Sequence, residues 1–118
     1  MTAERQVQVW LSDILSAIAL VDEFKDGLTF EAYVASALHR SAIERQIGII
    51  GEAVNQIRLV EPNAPISEIN RLNRFRNRII HEYSQVAPAV VWQMVTEALP
   101  RLKQEAQIWL AQIDAAQS

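Results

Sequence analysis

Cysteine is absent from this chain of 118 residues, so neither a disulfide framework nor a thiolate metal site can form. Histidine is scarce. His39 and His81 are the only two, too few for a histidine-rich metal site, and no carboxylate–histidine spacing suggests one. Long apolar runs are missing too: half of the residues are hydrophobic, yet no stretch approaches the ~20 that a membrane span needs. The opening Met1-Thr2-Ala3-Glu4-Arg5 lacks the basic-then-apolar order of a secretory signal. These absences lead to the expectation of a cytoplasmic protein with no membrane segment, no metal and no cofactor. The length suits one domain over residues 1–118. It is short for an enclosed active site, so a site shared between two copies is plausible from size alone.

A surplus of positive charge is also lacking. The net charge of −3 argues against binding nucleic acid over the whole surface. The distribution is more telling. Arg71, Arg74, Arg76 and Arg78 fall within eight positions, with no acid between Asn70 and Ile80. Any anion binding would be local, and it would be there.

Glycine and proline are few, three and four, and their positions suit helices. Val7, Trp10, Leu11, Ile14, Ile18 and Val21 recur at 3–4 spacing and predict a helix from about Glu4 to Phe24. Lys25-Asp26-Gly27 stops it, with Gly27 suited to a left-handed cap. Thr29 can cap the next helix. That helix carries Tyr33, Val34, Leu38, Ile43, Ile47, Ile50, Val54 and Ile57, a run longer than an average helix, so a break inside it is expected. Gly48 and Gly51 read as small residues that let another helix approach closely, since no strand precedes them as a phosphate-binding loop would require. Glu61-Pro62-Asn63-Ala64-Pro65 is a loop, and Ser67 is placed to cap a third helix from about Glu68 to Ile80. Pro88 suits the first position of a last helix. Val91, Trp92, Val95, Leu99, Leu102, Ile108 and Trp109 form its inner side, and Pro100 should kink or split it. The fold class is all-α, an antiparallel bundle of four to five helices.

At about 100° per residue the third helix can be plotted by hand. Ile69, Leu72, Phe75, Ile79 and Ile80 define a buried face. Arg71, Arg74 and Arg78 cluster opposite, as a solvated face or as an electrostatic guide for RNA. Arg76 falls inside the apolar arc, between Leu72 and Ile80. A lone charge is costly to bury there. It must pair with an acid elsewhere in the bundle, face a polar cleft or meet a second subunit. His81 lies about 140° from Arg76 on an ideal helix. The two converge only if the helix ends near Ile80 or if two protomers complete one cleft. His39 has no neighbours that add chemistry and reads as structural.

Arg76-Asn77-Arg78-Ile79-Ile80-His81 resembles the motif of the HEPN superfamily: arginine, a polar residue, then histidine after a short interval. Its extension to Tyr83 resembles the HepT toxin branch. The opening Asp13-Ile14-Leu15 helix, Ile50-Gly51-Glu52-Ala53, the proline-containing loop and Val90-Val91-Trp92 are similar to that branch in order and spacing. Glu82, Ser84 and Ala87 depart from it, standing where glycine, an aromatic and aspartate are common. Glu82 would add negative charge beside the site and favour protonated His81.

The resemblance implies an HEPN-like bundle that acts as a dimeric, metal-independent endoribonuclease toxin, with paired motifs lining a cleft between protomers. It also implies a small MntA-type nucleotidyltransferase as antitoxin, which transfers AMP from ATP to the motif tyrosine. Carried over by position, Arg76 and His81 are catalytic, Asn77 supports them and Tyr83 accepts the modification. Histidine exchanges protons near neutrality, and arginine keeps its charge and matches phosphate oxygens. Two other readings stay open on the same residues. One is a non-catalytic HEPN subunit that binds a nucleotidyltransferase and presents a tyrosine to it. The other is a plain helical interaction domain in which Arg76 makes only a structural ion pair.

Overall fold

A computed structural model describes residues 2–81 and 87–117, with side chains described throughout except at positions 79–81. Helix α1 spans Ala3–Lys25, and Thr2 caps it by accepting from the Arg5 N–H at 3.1 Å. Gly27 then takes φ 70, the left-handed conformation that glycine adopts without steric cost, and turns the chain. Helix α2, Phe30–Ala35, starts from the predicted cap: the Thr29 hydroxyl accepts from the Ala32 N–H at 3.1 Å.

The expected break in the long second helix falls at Ser36, whose backbone leaves the helical region with φ −110 and ψ 105. Its hydroxyl caps α3, Ala37–Val60, by accepting from the His39 N–H at 3.2 Å, and it also meets His39 Nδ1 at 2.7 Å. His39 is thus part of a helix start. The break has a further consequence. Val34 and Leu38, read from the sequence as part of one apolar row, are 40% and 78% exposed, because the row does not continue in phase through Ser36.

Helix α4 spans Ile69–His81. Ser67 does not cap it. The Ser67 N–H and hydroxyl both donate to the Glu105 carboxylate, at 3.1–3.2 Å, and tie the preceding loop to the last helix. Helix α5, Pro88–Gln93, begins with proline as expected. It passes into a wide π-type turn, Met94–Ala98, and then into α6, Leu99–Ala116. Pro100 lies at the start of α6, just past that wide turn, where its missing N–H breaks no regular ladder.

The core is continuous. Leu11, Ile14 and Ile18 of α1, Ile43, Ile47, Ile50 and Ile57 of α3, Leu72 of α4, and Met94, Leu99 and Leu102 of the last rod are all almost wholly buried. Helix α1 packs on α3 and α6, and α4 packs on α3. Tyr33 and Phe30 stack at a tilt on Trp92, with centroids 5.3 and 6.0 Å away, which seats α2 against α5. Ile108, read as inward, is 53% exposed. It sits about 120° round the helix from Leu102, so Ala106 and Ile113 take the inner row instead. No helix among the described residues is long and apolar enough to cross a membrane.

Candidate active site at the α3–α4 crossing

Helices α3 and α4 pass close to each other at Gly51. A β-carbon there would lie 2.9 Å from Arg76 Cβ and 3.4 Å from the Leu72 carbonyl oxygen. The predicted close approach is therefore real at this glycine. At Gly48 nothing among the described residues lies within 4 Å, so Gly48 takes no part in it. Small size at position 51 sets the spacing of the two helices and brings the root of the Arg76 side chain onto α3.

The next residue on α3, Glu52, receives that side chain. Arg76 Nε donates to Glu52 Oε2 at 2.5 Å, and Arg76 Nη1 donates to Asn77 Oδ1 at 3.3 Å. Glu52 Oε1 accepts from Gln56 Nε2, one turn further along α3, at 3.0 Å. The Gln56 amide and the Arg76 guanidinium together hold the Glu52 carboxyl below the usual carboxylate range. The side chains of Arg76 and Glu52 are 21% and 48% exposed, so the pair stands at the rim of the crossing and not inside the core. A shallow groove of about 240 Å³ opens beside it, lined by Trp10, Asp13, Ile49, Glu52, Ala53 and Gln56. Of the options the sequence left for Arg76, the structure realises pairing with an acid, and that acid, Glu52, lines the groove.

Asn77 lies next to Arg76, and its Oδ1 accepts from Arg76 Nη1. The side chain of His81, together with Glu82, Tyr83 and Ser84, lies outside the described residues, and so does the question of whether His81 and Arg76 converge. Arg71, Arg74 and Arg78 gather as expected on one side of α4. They line a second groove of about 270 Å³ with Phe75, Val90 and Met94. Arg71 reaches Glu68 at 3.8 Å and Glu97 at 3.6 Å. Arg74 and Arg78 are each two residues from Arg76, about 160° round the helix. The trio and Arg76 therefore serve different faces of α4.

Sequence reasoning missed Glu52. In the sequence it stands only within Ile50-Gly51-Glu52-Ala53, a segment similar to the HepT branch. The available signal was a single acid directly after a glycine in an otherwise apolar stretch, with an amide four residues on.

The helical bundle and the arginine-led polar motif on α4 define the class: an all-α, HEPN-like protein. Residues 14–108 match the family model described as Ribonuclease HepT-like, and the chain belongs to that family. It is similar to "Putative RNase MJ1380" of Methanocaldococcus jannaschii, 33% identical over 110 residues, which cover 90% of this chain and 98% of that protein. It is also similar to "Probable ribonuclease HepT" of Thermococcus cleftensis, 34% identical over 104 residues, 85% of this chain and 92% of that protein. No solved structure gives a significant match.

Proposed function

We propose that the chain is an endoribonuclease that cleaves RNA without a metal ion and acts as the toxin of a HepT/MntA-type toxin–antitoxin module. The observation that supports this most directly is Arg76. A charged residue from the apolar arc of α4 is held by Glu52, which itself lines a groove, in a chain of the HepT-like family.

In this reading the ribose 2′-hydroxyl loses its proton and attacks phosphorus. The O2′–P bond forms as the P–O5′ bond breaks, and the departing 5′-oxygen takes up a proton. A 2′,3′-cyclic phosphate remains. His81 serves in the proton transfers, because imidazole exchanges protons near neutral pH. Arg76 stabilises the charge on the phosphorane, because guanidinium stays protonated and offers planar donors to phosphate oxygens. Asn77 supports Arg76. Two copies pair to bring both motifs to one cleft. Arg71, Arg74 and Arg78 guide the strand electrostatically from the other side of α4. A nucleotidyltransferase antitoxin transfers AMP from ATP to the Tyr83 hydroxyl, with pyrophosphate leaving. The added phosphate and base block the cleft by charge and bulk.

Induced expression of the intact chain, His81→Ala and Arg76→Ala, each checked for folding, tests the reading. Growth arrest by the intact chain alone, with RNA fragments ending in cyclic phosphate, is the expected result. Fragments bearing 3′-hydroxyl and 5′-phosphate ends would sink the mechanism. Absence of arrest from a well-folded intact chain would favour a binding subunit that presents Tyr83 to its partner.

A further inference from the structure

We propose that Glu52 is the positioning residue for Arg76, fixing which edge of the guanidinium faces the scissile phosphate; this rests on the ribonuclease reading above. An arginine head carries five N–H donors in one plane. Here Nε–H is taken by Glu52, and one Nη1–H is directed to Asn77. Among the described residues, nothing takes Nη2 or the second Nη1–H. The two contacts anchor the guanidinium at Nε and at Nη1 and leave Nη2 and one Nη1–H, the donors of the end-on edge, for two oxygens of a phosphate, the bidentate geometry that arginine suits.

Three further features favour positioning over a stability role. The pair is partly open to water, Glu52 more than Arg76, and ion pairs at the surface add little to folding. The carboxylate is itself held: Gln56 engages its other oxygen from the same rigid helix, so the orientation passes from the α3 backbone to Arg76. Gly51, immediately before Glu52, allows α4 to come close enough for the short Nε contact. A long side chain that would otherwise sample many rotamers is thereby reduced to one presentation, and catalysis is sensitive to misplacement on this scale.

The test is steady-state cleavage of a short fluorescent RNA by the full chain, with Arg76→Ala as the inactive reference. Glu52→Ala is expected to lower kcat about 10- to 100-fold with KM changed little, because binding depends on charge and turnover on orientation. Glu52→Gln keeps an oxygen acceptor for Nε–H and should recover kcat to within a few-fold of the intact chain. Thermal midpoints of both variants should stay close to that of the parent.

Cleavage by Glu52→Ala at the parental kcat, with Arg76→Ala dead, overturns the positioning role and leaves the ribonuclease reading intact. A loss of kcat that merely follows a loss of folded protein makes Glu52 structural and overturns it too. Faster turnover or tighter KM in Glu52→Gln makes the carboxylate a brake on Arg76, again against the proposal. If the folded parent cuts no RNA, the ribonuclease reading fails, and the proposal falls with it.

Discussion

Replacing each mid-helix glycine of α3 by alanine separates two physical effects that the sequence merges. Gly48 and Gly51 sit three residues apart in the same helix, so the intrinsic gain from alanine, about 1 kcal/mol, is shared. Their surroundings differ. At Gly48 a β-carbon meets nothing among the described residues within 4 Å. At Gly51 it would meet Arg76 Cβ at 2.9 Å, both atoms standing at the base of their side chains. An ordinary contact needs about half an ångström more, so α4 has to back away from α3, and overpacking of this kind costs about 1–3 kcal/mol. Gly48→Ala should therefore gain about 1 kcal/mol. Gly51→Ala should come out between neutral and about 2 kcal/mol worse than the parent once the shared gain is subtracted. For a domain of this size that gap amounts to roughly 4–15 °C between the two variants by thermal denaturation. Urea titration should give the same order. Displacing α4 also carries Arg76 with it, so RNA cleavage by Gly51→Ala should fall about tenfold or more while Gly48→Ala cuts normally. Equal stabilisation by the two substitutions would refute the close approach at Gly51.

Two further outcomes follow from groups outside the arginine motif. The Tyr33 ring is fully buried against Trp92, its hydroxyl has no hydrogen-bond partner among the described residues, and burial pushes the phenol well above its ordinary pKa. Tyr33→Phe should raise the urea midpoint, by up to about 1–3 kcal/mol in stability, since it removes a desolvated donor and little packing; a lowered midpoint would mean that the hydroxyl is engaged. The Glu52 carboxyl is held below its usual range by Gln56 and Arg76, so it contributes stability that is present above about pH 4.3, the ordinary glutamate value, and lost as the pH falls through its depressed folded value. Comparing urea midpoints of the parent and Glu52→Gln across pH 2.5–6 should show a small parental advantage that disappears at the acid end. An advantage that grows on acidification would contradict the sign.

Much of the fold follows from rules that act over a few residues. Thr29 caps because its hydroxyl reaches a free N–H three residues on, and Gly27 turns because it has no β-carbon. Pro88 opens a helix because its missing N–H goes unused there. The inner rows of α1 and α3 follow from the 3–4 spacing of their apolar residues. Readings failed where a local rule competed with a distant partner. Ser67 has the chemistry of a cap, but Glu105 on α6 takes its N–H and hydroxyl. Leu38 and Ile108 fit apolar rows only if one helix phase continues through Ser36 or along α6, and both end up facing out.

The site divides in the same way. The sequence alone was enough to concentrate the chemistry on α4, to isolate Arg76 as the charge in the apolar arc, and to set Arg71, Arg74 and Arg78 on the other face, because helical angle depends on spacing. It could not supply the partner of Arg76. Glu52 stands twenty-four residues earlier on another helix, and its contact exists because Gly51 lets α3 and α4 come within side-chain reach. Periodicity says which way a residue points from its own helix axis; only the packing of one helix on another decides what it meets there.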